Sequence, residues 1–247
     1  MADGSICEEV GTHCQEIAQE RIQDEYGLHF VTLFSHEGEP VQALVSQDYN
    51  EDSDNPVIVV IAGKGKSRAG VLSMKQLMLS GTEQGSAMFH IQQARTRGLD
   101  VILLDPNARG KGEGMVLVHL SLDHLDWIKK NVYILAHSAA GGYLVRYLLE
   151  GDKRQALRSS IRGLAFTDST HNLRWAQEDR SLHIFLQSSL VLYIRNCSEN
   201  PSDTFANHKH KKAGEVHEGN RWWHHRFGDI PTGWAGTTDH SSRCWVA

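Results

Sequence analysis

The fold of this chain is decided by the stretch Val132-Tyr133-Ile134-Leu135-Ala136-His137-Ser138-Ala139-Ala140-Gly141-Gly142, which leads into residues 143–149. An apolar run stops at a serine flanked by small residues, which predicts a strand, a sharp turn and a helix. A serine on such a turn projects its hydroxyl at the top of a parallel sheet, and small residues on both sides let strand and helix approach closely. The pattern indicates a nucleophile elbow, with alanine where glycine usually relieves the strained turn.

Several other apolar runs predict the strands that accompany the elbow strand. They are continuous rather than alternating, which is typical of strands covered on both faces of a parallel sheet. Helix-compatible segments separate them, so the sequence predicts an α/β fold with a doubly wound, mostly parallel sheet. The strands are predicted at residues 57–61, 101–104, 164–167 and 190–194, after a hairpin around the turn at 36–40, and the helices at 71–79, 83–97, 120–130, 152–161 and 175–188.

The length and composition of the chain suit one α/β domain. It has 247 residues, of which 40% are hydrophobic, enough to bury a sizeable core. We divide it into an N-terminal helical extension at 1–27 and a single domain at 28–247 that becomes irregular from about 201. No internal repeat is visible.

Charge, cysteines and hydropathy narrow the classes of function. The formal net charge of −5 argues against a nucleic-acid footprint over the whole chain. The four cysteines form no CxxC pair, which predicts free thiols in a reducing compartment. Because we find neither a secretory start nor a stretch of roughly 20 apolar residues, we expect a soluble intracellular protein with no membrane partner.

A serine at an elbow needs a base to accept its proton and an acid to orient that base. In this type of site the three residues occur in the order serine, carboxylate, histidine. We predict Ser138 as the nucleophile and His240, in a late loop, as the base. Two residues stay open for the acid: Asp203, favoured because it follows the last-but-one strand, and Asp168, directly after the strand that ends at 167.

Backbone amides are predicted to form the oxyanion hole of this site. One is the amide of the residue after the nucleophile, Ala139, and the other comes from a loop that follows an earlier strand. Gly63 and Gly65 lie in the loop after the strand at 57–61 and are the candidates for the second amide.

A histidine-rich segment near the C-terminus is the main alternative site. It contains His208-Lys209-His210-Lys211-Lys212 and Trp222-Trp223-His224-His225, but its spacing matches no metal site. The glycines at 63–70 also lack the spacing of a phosphate-binding loop. We therefore predict no metal and no cofactor.

Six short strings, in order over about residues 28–240, together resemble the argonaute-binding-protein-type domain family. The resemblance implies an α/β-hydrolase-like fold with Ser138 in the nucleophile position, and it makes His137, Asp168 and His171 candidates to line the site. It also implies a nuclear and cytoplasmic protein whose partners are argonaute and chromatin or splicing proteins. The strings are Glu37-Gly38-Glu39-Pro40, Arg68-Ala69-Gly70, Leu103-Leu104-Asp105-Pro106-Asn107, Ala136-His137-Ser138, Thr167-Asp168-Ser169-Thr170-His171-Asn172 and Ala235-Gly236-Thr237-Thr238-Asp239-His240.

The chain departs from the family pattern at three places. Ala62 stands where the family has histidine, the elbow helix begins with one residue more, and the chain ends seven residues after His240, which predicts that the closing helix of the fold is missing. Two hypotheses follow. The main one is a regulator that acts with argonaute and chromatin factors in alternative splicing or RNA silencing and retains residual serine-hydrolase activity. The alternative is a cytosolic serine carboxylesterase or lipase-like hydrolase acting on a small ester.

Overall fold

The structure, a computed structural model, describes most of the chain up to residue 195 and short pieces beyond it. The described residues are 4–34, 40–47, 49, 54–110, 112–125, 131–149, 152–195, 216–217, 230 and 232–234.

Between residues 57 and 195 strands alternate with helical segments. The strands are β1 (Leu28–Phe34), β2 (Pro40–Ser46), β3 (Val57–Ile61), β4 (Asp100–Leu104), β5 (Val132–His137), β6 (Ile161–Thr167), β7 (Val191–Arg195), β8 (Val216–His217) and β9 (Thr232–Trp234). The helices are α1 (Gly4–Tyr26), α2 (Met74–Ser80), α3 (Thr82–Gly85), α4 (Met88–Thr96), α5 (Gly114–His124), α6 (Ala139–Leu149), α7 (Asp152–Ser160) and α8 (Arg180–Leu186), with a 3₁₀ turn at Leu173–Ala176 before α8.

All described strands belong to one sheet in the order β1-β2-β4-β3-β5-β6-β7-β9-β8. Pairing is parallel from β4 through β3, β5, β6 and β7 to β9, and antiparallel for β1 with β2, β2 with β4 and β8 with β9. The chain leaves β3 toward one edge of the sheet and leaves β5 toward the other. Such a switch point opens a crevice at the carboxyl ends of the two strands. The predicted doubly wound, mostly parallel α/β fold is confirmed.

Helices cover the two faces of the sheet and create two apolar cores. Side chains from α5, α6, α7 and α8 pack on one face, against residues such as Val59 and Ile134. Side chains from α1 and α4 pack on the other face, against residues such as Val60 and Leu103. Because β4 is covered on both sides, all five of its residues are buried, which explains the continuous apolar run at 101–104.

The structure divides two of the predicted helices. The helix predicted at 83–97 is divided into α3 and α4, because Ser86 forms a β-bridge with Val71 between them. The amides of Leu72 and Ser73 donate to the Gly85 carbonyl, which holds that break in place. The helix predicted at 175–188 becomes the 3₁₀ turn and α8, which begins where the Asp179 carboxylate accepts the Leu182 amide.

Two further expectations concern the C-terminal part and the membrane. Within the region predicted to be irregular, the described residues include the short strands β8 and β9 at the sheet edge. The expected loss of a closing helix lies outside the described residues. Among the helices of the described ranges, none is long and apolar enough to cross a membrane.

Candidate active site

Ser138 stands on the turn between β5 and α6, as the sequence predicts. Its φ is 54°, in the left-handed region that residues other than glycine rarely adopt. The turn is held from the side of β6, since the Ser138 amide donates to the Thr167 carbonyl (2.9 Å) and the Ser138 carbonyl accepts the Thr170 amide (3.0 Å). The local backbone is therefore strained and fixed, which is the geometry of a nucleophile elbow.

Gly63 follows β3 and brings its backbone against this serine. A β-carbon built on Gly63 would lie 2.8 Å from Ser138 Cβ and 3.2 Å from Ser138 Oγ. Only glycine permits so close an approach. The contact follows from the pairing of the strands. Ile61 of β3 is paired with Ala136 of β5, so the segments after the two strands leave the sheet side by side.

The predicted oxyanion donors have different surroundings. Ala139 is the first residue of α6, so its amide belongs to the helix end whose first N–H groups have no partner within the helix. The Gly65 amide, in contrast, donates to the Asn107 side-chain oxygen at 3.0 Å. This bond occupies the Gly65 amide in the structure. Gly63 remains the candidate from this loop.

Of the two candidate acids, Asp168 lies next to the elbow. It follows β6 directly, has a φ of 46° and donates its amide to the Ile194 carbonyl at 2.7 Å. Thr167, directly before Asp168, and Thr170, two residues after it, form the backbone hydrogen bonds to Ser138. The other candidate acid, Asp203, and the candidate base, His240, lie outside the described residues.

The two histidines predicted to line the site are interior residues. His137 is 3% exposed, and its Nδ1 lies 3.0 Å from Thr167 Oγ1, a contact that joins β5 to β6. His171 is fully buried, with its ring stacked on Phe166 at 4.0 Å and its Nδ1 2.8 Å from Ser169 Oγ. Neither ring is on an accessible wall of the crevice, because both are covered by the strands and loops that support the elbow.

A hydrogen-bonded cluster beside Gly63 was not predicted as part of the site. It joins Asn107 and Asp105, which follow β4, to the loop after β3 that ends at Arg68. The only sequence signal is that polar residues follow a buried strand at the edge where Ser138 and Gly63 also lie. As for metals, the described ranges contain no group of three or more His, Cys, Asp or Glu side chains that could hold an ion. The histidine-rich segment lies outside them.

No protein-family model and no curated protein sequence matches the chain. Solved structures do match. One is a hypothetical protein from Pseudomonas aeruginosa, with 12% identity, a TM-score of 0.36, and coverage of 64% of this chain but only 50% of that one. An esterase from Pyrobaculum calidifontis matches with 13% identity and a TM-score of 0.38, over 78% of this chain and 72% of the esterase. A bacterial heroin esterase matches with 11% identity and a TM-score of 0.40, over 77% of this chain and 71% of the esterase.

The class of fold is α/β-hydrolase-like, and this chain's own strands and elbow define it. The sheet winds outward from the neighbouring strands β3 and β5, with helices on both faces and an antiparallel pair at each edge. Its elbow follows β5 at the carboxyl edge, where this fold carries its nucleophile.

Proposed function

We propose that this chain is a serine hydrolase that cleaves a carboxylic ester. The observation that carries the proposal is the approach of the Gly63 backbone to the hydroxyl of Ser138, on a turn with a φ of 54°. A half-buried serine on a strained turn, with a backbone segment close to its hydroxyl, has the arrangement that acyl transfer requires. Of the two hypotheses from the sequence, we therefore adopt the alternative, a serine carboxylesterase or lipase-like hydrolase.

In the proposed reaction Ser138 Oγ attacks the ester carbonyl carbon while His240 accepts the hydroxyl proton. The resulting oxyanion is stabilised by the amides of Ala139 and Gly63. Collapse of this intermediate breaks the ester C–O bond, and the protonated histidine gives its proton to the leaving alcohol. Water, activated by the same histidine, then attacks the acyl group on Ser138 and releases the carboxylic acid.

Labelling with a fluorophosphonate probe tests the nucleophile. We expect the wild type to be labelled, and Ser138→Ala to lose both labelling and hydrolysis of p-nitrophenyl acetate. Ser159→Ala is a matched control, because Ser159 is an exposed serine of α7. Equal labelling of wild type and Ser138→Ala, or a wild type that is neither labelled nor hydrolytic, would overturn the proposal.

The identity of the acid is tested by two asparagine variants. Asparagine tolerates the left-handed region, so Asp168→Asn should keep the backbone at its φ of 46°. The variant of the true acid should lose about 10⁴-fold in kcat, because asparagine holds the histidine in the wrong tautomer. We expect Asp203→Asn to show this loss. The same loss in Asp168→Asn alone would move the role to Asp168.

The regulatory role rests on the sequence resemblance alone and stays a second proposal. It predicts that argonaute, with chromatin or splicing proteins, is recovered with this chain from nuclear and cytoplasmic extracts. If the role is scaffolding, Ser138→Ala should recover argonaute as well as the wild type does. Failure of the wild type to recover argonaute from either extract would contradict it.

A further inference from the structure

We propose that Asn107 is a positioning residue that sets the oxyanion loop, residues 62–67, against the nucleophile. This inference rests on the proposed function, because it assigns the Gly63 backbone to the stabilisation of an oxyanion. Asn107 lies after β4, in the string Leu103-Leu104-Asp105-Pro106-Asn107, and belongs neither to the predicted triad nor to the predicted oxyanion donors.

One side chain fastens the oxyanion loop at three points. Asn107 Nδ2 donates to the carbonyls of Gly63 (2.9 Å) and Ser67 (2.7 Å), and Asn107 Oδ1 accepts the Gly65 amide at 3.0 Å. Asn107 is only 7% exposed. Water therefore has little access to replace these bonds, and their loss leaves buried polar groups unsatisfied.

The oxyanion loop needs such a fastening because of its glycines. Residues 62–67 contain no helix or strand, and Gly63 and Gly65 have wide conformational freedom. Bonds to the Gly63 carbonyl and the Gly65 amide fix the peptide planes on both sides of Lys64. They thereby limit how the Gly63 backbone turns beside Ser138 Oγ.

Asn107 is itself held by a carboxylate and an arginine. Asp105 Oδ1 accepts a hydrogen bond from the backbone N–H of Asn107 (3.2 Å). Asp105 Oδ2 accepts one from Arg68 Nε (2.8 Å). The Asp105 side chain is 1% exposed, and the ion pair with Arg68 compensates for the burial of its charge. Arg68 follows the oxyanion loop in the chain, so the connections run from the loop to Asn107, on to Asp105 and back to the end of the loop.

Helix α1 supports the same end of the loop. Gln15 Oε1 accepts the Arg68 amide at 2.8 Å, and Gln19 Nε2 donates to the Ala69 carbonyl at 2.9 Å. The end of the loop is thus anchored to the body of the protein, while Asn107 fixes its middle. A loop anchored in this way stays in place while charge develops on the substrate.

The test measures kcat and KM for p-nitrophenyl acetate in Asn107→Ala and in a control of comparable stability. Removing one oxyanion donor costs roughly 10²–10³ in kcat, so a misplaced loop should lower kcat about tenfold or more and leave KM within about twofold. The control is Ser73→Ala, which removes the N-cap of α2, costs about 1 kcal/mol of stability and should keep the wild-type kcat. Asn107→Asp should lose activity too, because it replaces the Nδ2 donor by an acceptor.

Hydrogen–deuterium exchange supplies a readout that does not depend on catalysis. Peptides covering 62–67 should exchange faster in Asn107→Ala than in the wild type or in Ser73→Ala. Unchanged exchange, or faster exchange with wild-type kcat and probe labelling, would overturn the positioning role alone. A wild type that shows no Ser138-dependent labelling would overturn the proposed function, and the positioning role with it.

Discussion

The backbone of Gly63 lies directly against the side chain of Ser138, so that a β-carbon at Gly63 would stand 2.8 Å from Ser138 Cβ. The two residues follow the neighbouring parallel strands β3 and β5. The chain leaves these two strands toward opposite edges of the sheet. At a switch point of this kind, folds of this class bind ligands in a crevice outside the carboxyl ends of the strands, and the contact lies at that point. An ester carbonyl bound in the crevice would meet the hydroxyl and the loop amide together.

Gly63→Ala should therefore impair catalysis. The added methyl group must displace either the elbow or the oxyanion loop, and we expect kcat for p-nitrophenyl acetate to fall about tenfold or more. Gly65→Ala is the matched control, because a β-carbon at that position would meet no atom of the described ranges within 4 Å. Fluorophosphonate labelling rates measure both variants. A Gly63→Ala variant that is labelled as fast as the wild type would contradict the assigned role of this contact.

The left-handed backbone of Ser138 makes a separate prediction about stability. A residue with a β-carbon pays roughly 1–2 kcal/mol in this region, and glycine avoids that cost at an entropic cost of roughly 0.5–1 kcal/mol. Ser138→Gly should thus be more stable than Ser138→Ala by about 0.5–1 kcal/mol in urea unfolding. At Ser159, inside α7, the order should reverse, because alanine is favoured over glycine in helices. The same order at both positions would argue against a strained elbow.

The fold could be predicted because each buried strand carries a local signal. The continuous run at 57–61 coincides with β3, and the run that ends at Ser138 coincides with β5 and the turn. The division between α3 and α4 could not be predicted, since it depends on the bridge from Ser86 to the distant Val71. A tertiary bridge of this kind overrides helix propensity and leaves no trace in the local pattern.

The candidate site likewise has features that could be predicted from the sequence and others that could not. Ser138 and Gly63 could be predicted because the strand–turn–helix pattern and a glycine after a buried strand are local features. Whether His137 and His171 reach the crevice depends on which loops cover them, and the structure buries both. The placement of Asn107 beside Gly63 could not be predicted, because its bonds to Gly63 and Ser67 join segments about 40 positions apart.

His90, on α4, should make the protein less stable in mild acid. Burial lowers the pKa of His90 to about 4, and neither ring nitrogen has a hydrogen-bond partner among the described residues. Unfolded histidine titrates near 6.5, so the unfolded chain binds more protons between about pH 6.5 and pH 4. Stability therefore falls as the pH is lowered through this window, by roughly 2–3 kcal/mol from this residue.

The His90→Leu variant removes this contribution. Urea unfolding at pH 7 and pH 4.5 should show a smaller loss of stability for the variant than for the wild type, by roughly 2 kcal/mol. At pH 7 the leucine should cost little or stabilise, because it replaces a buried imidazole whose nitrogens find no hydrogen-bond partner in the described part of the chain. Equal losses for the two proteins on acidification would show that His90 is not neutral and desolvated in the fold.

The first turn of α6 depends on glycine at one position and not at the next. A β-carbon at Gly141 would overlap Ser169 Oγ and lie 2.9 Å from Phe166 Cδ1, whereas at Gly142 the nearest atom is Thr170 Oγ1 at 3.3 Å. Alanine in a helix normally gains about 1 kcal/mol over glycine. Gly142→Ala should therefore stay within about 1 kcal/mol of the wild type, and Gly141→Ala should lose about 2 kcal/mol or more through overpacking. In a double-mutant cycle measured by urea unfolding, Ser169→Ala should recover part of the Gly141→Ala loss, and strict additivity would contradict a direct collision.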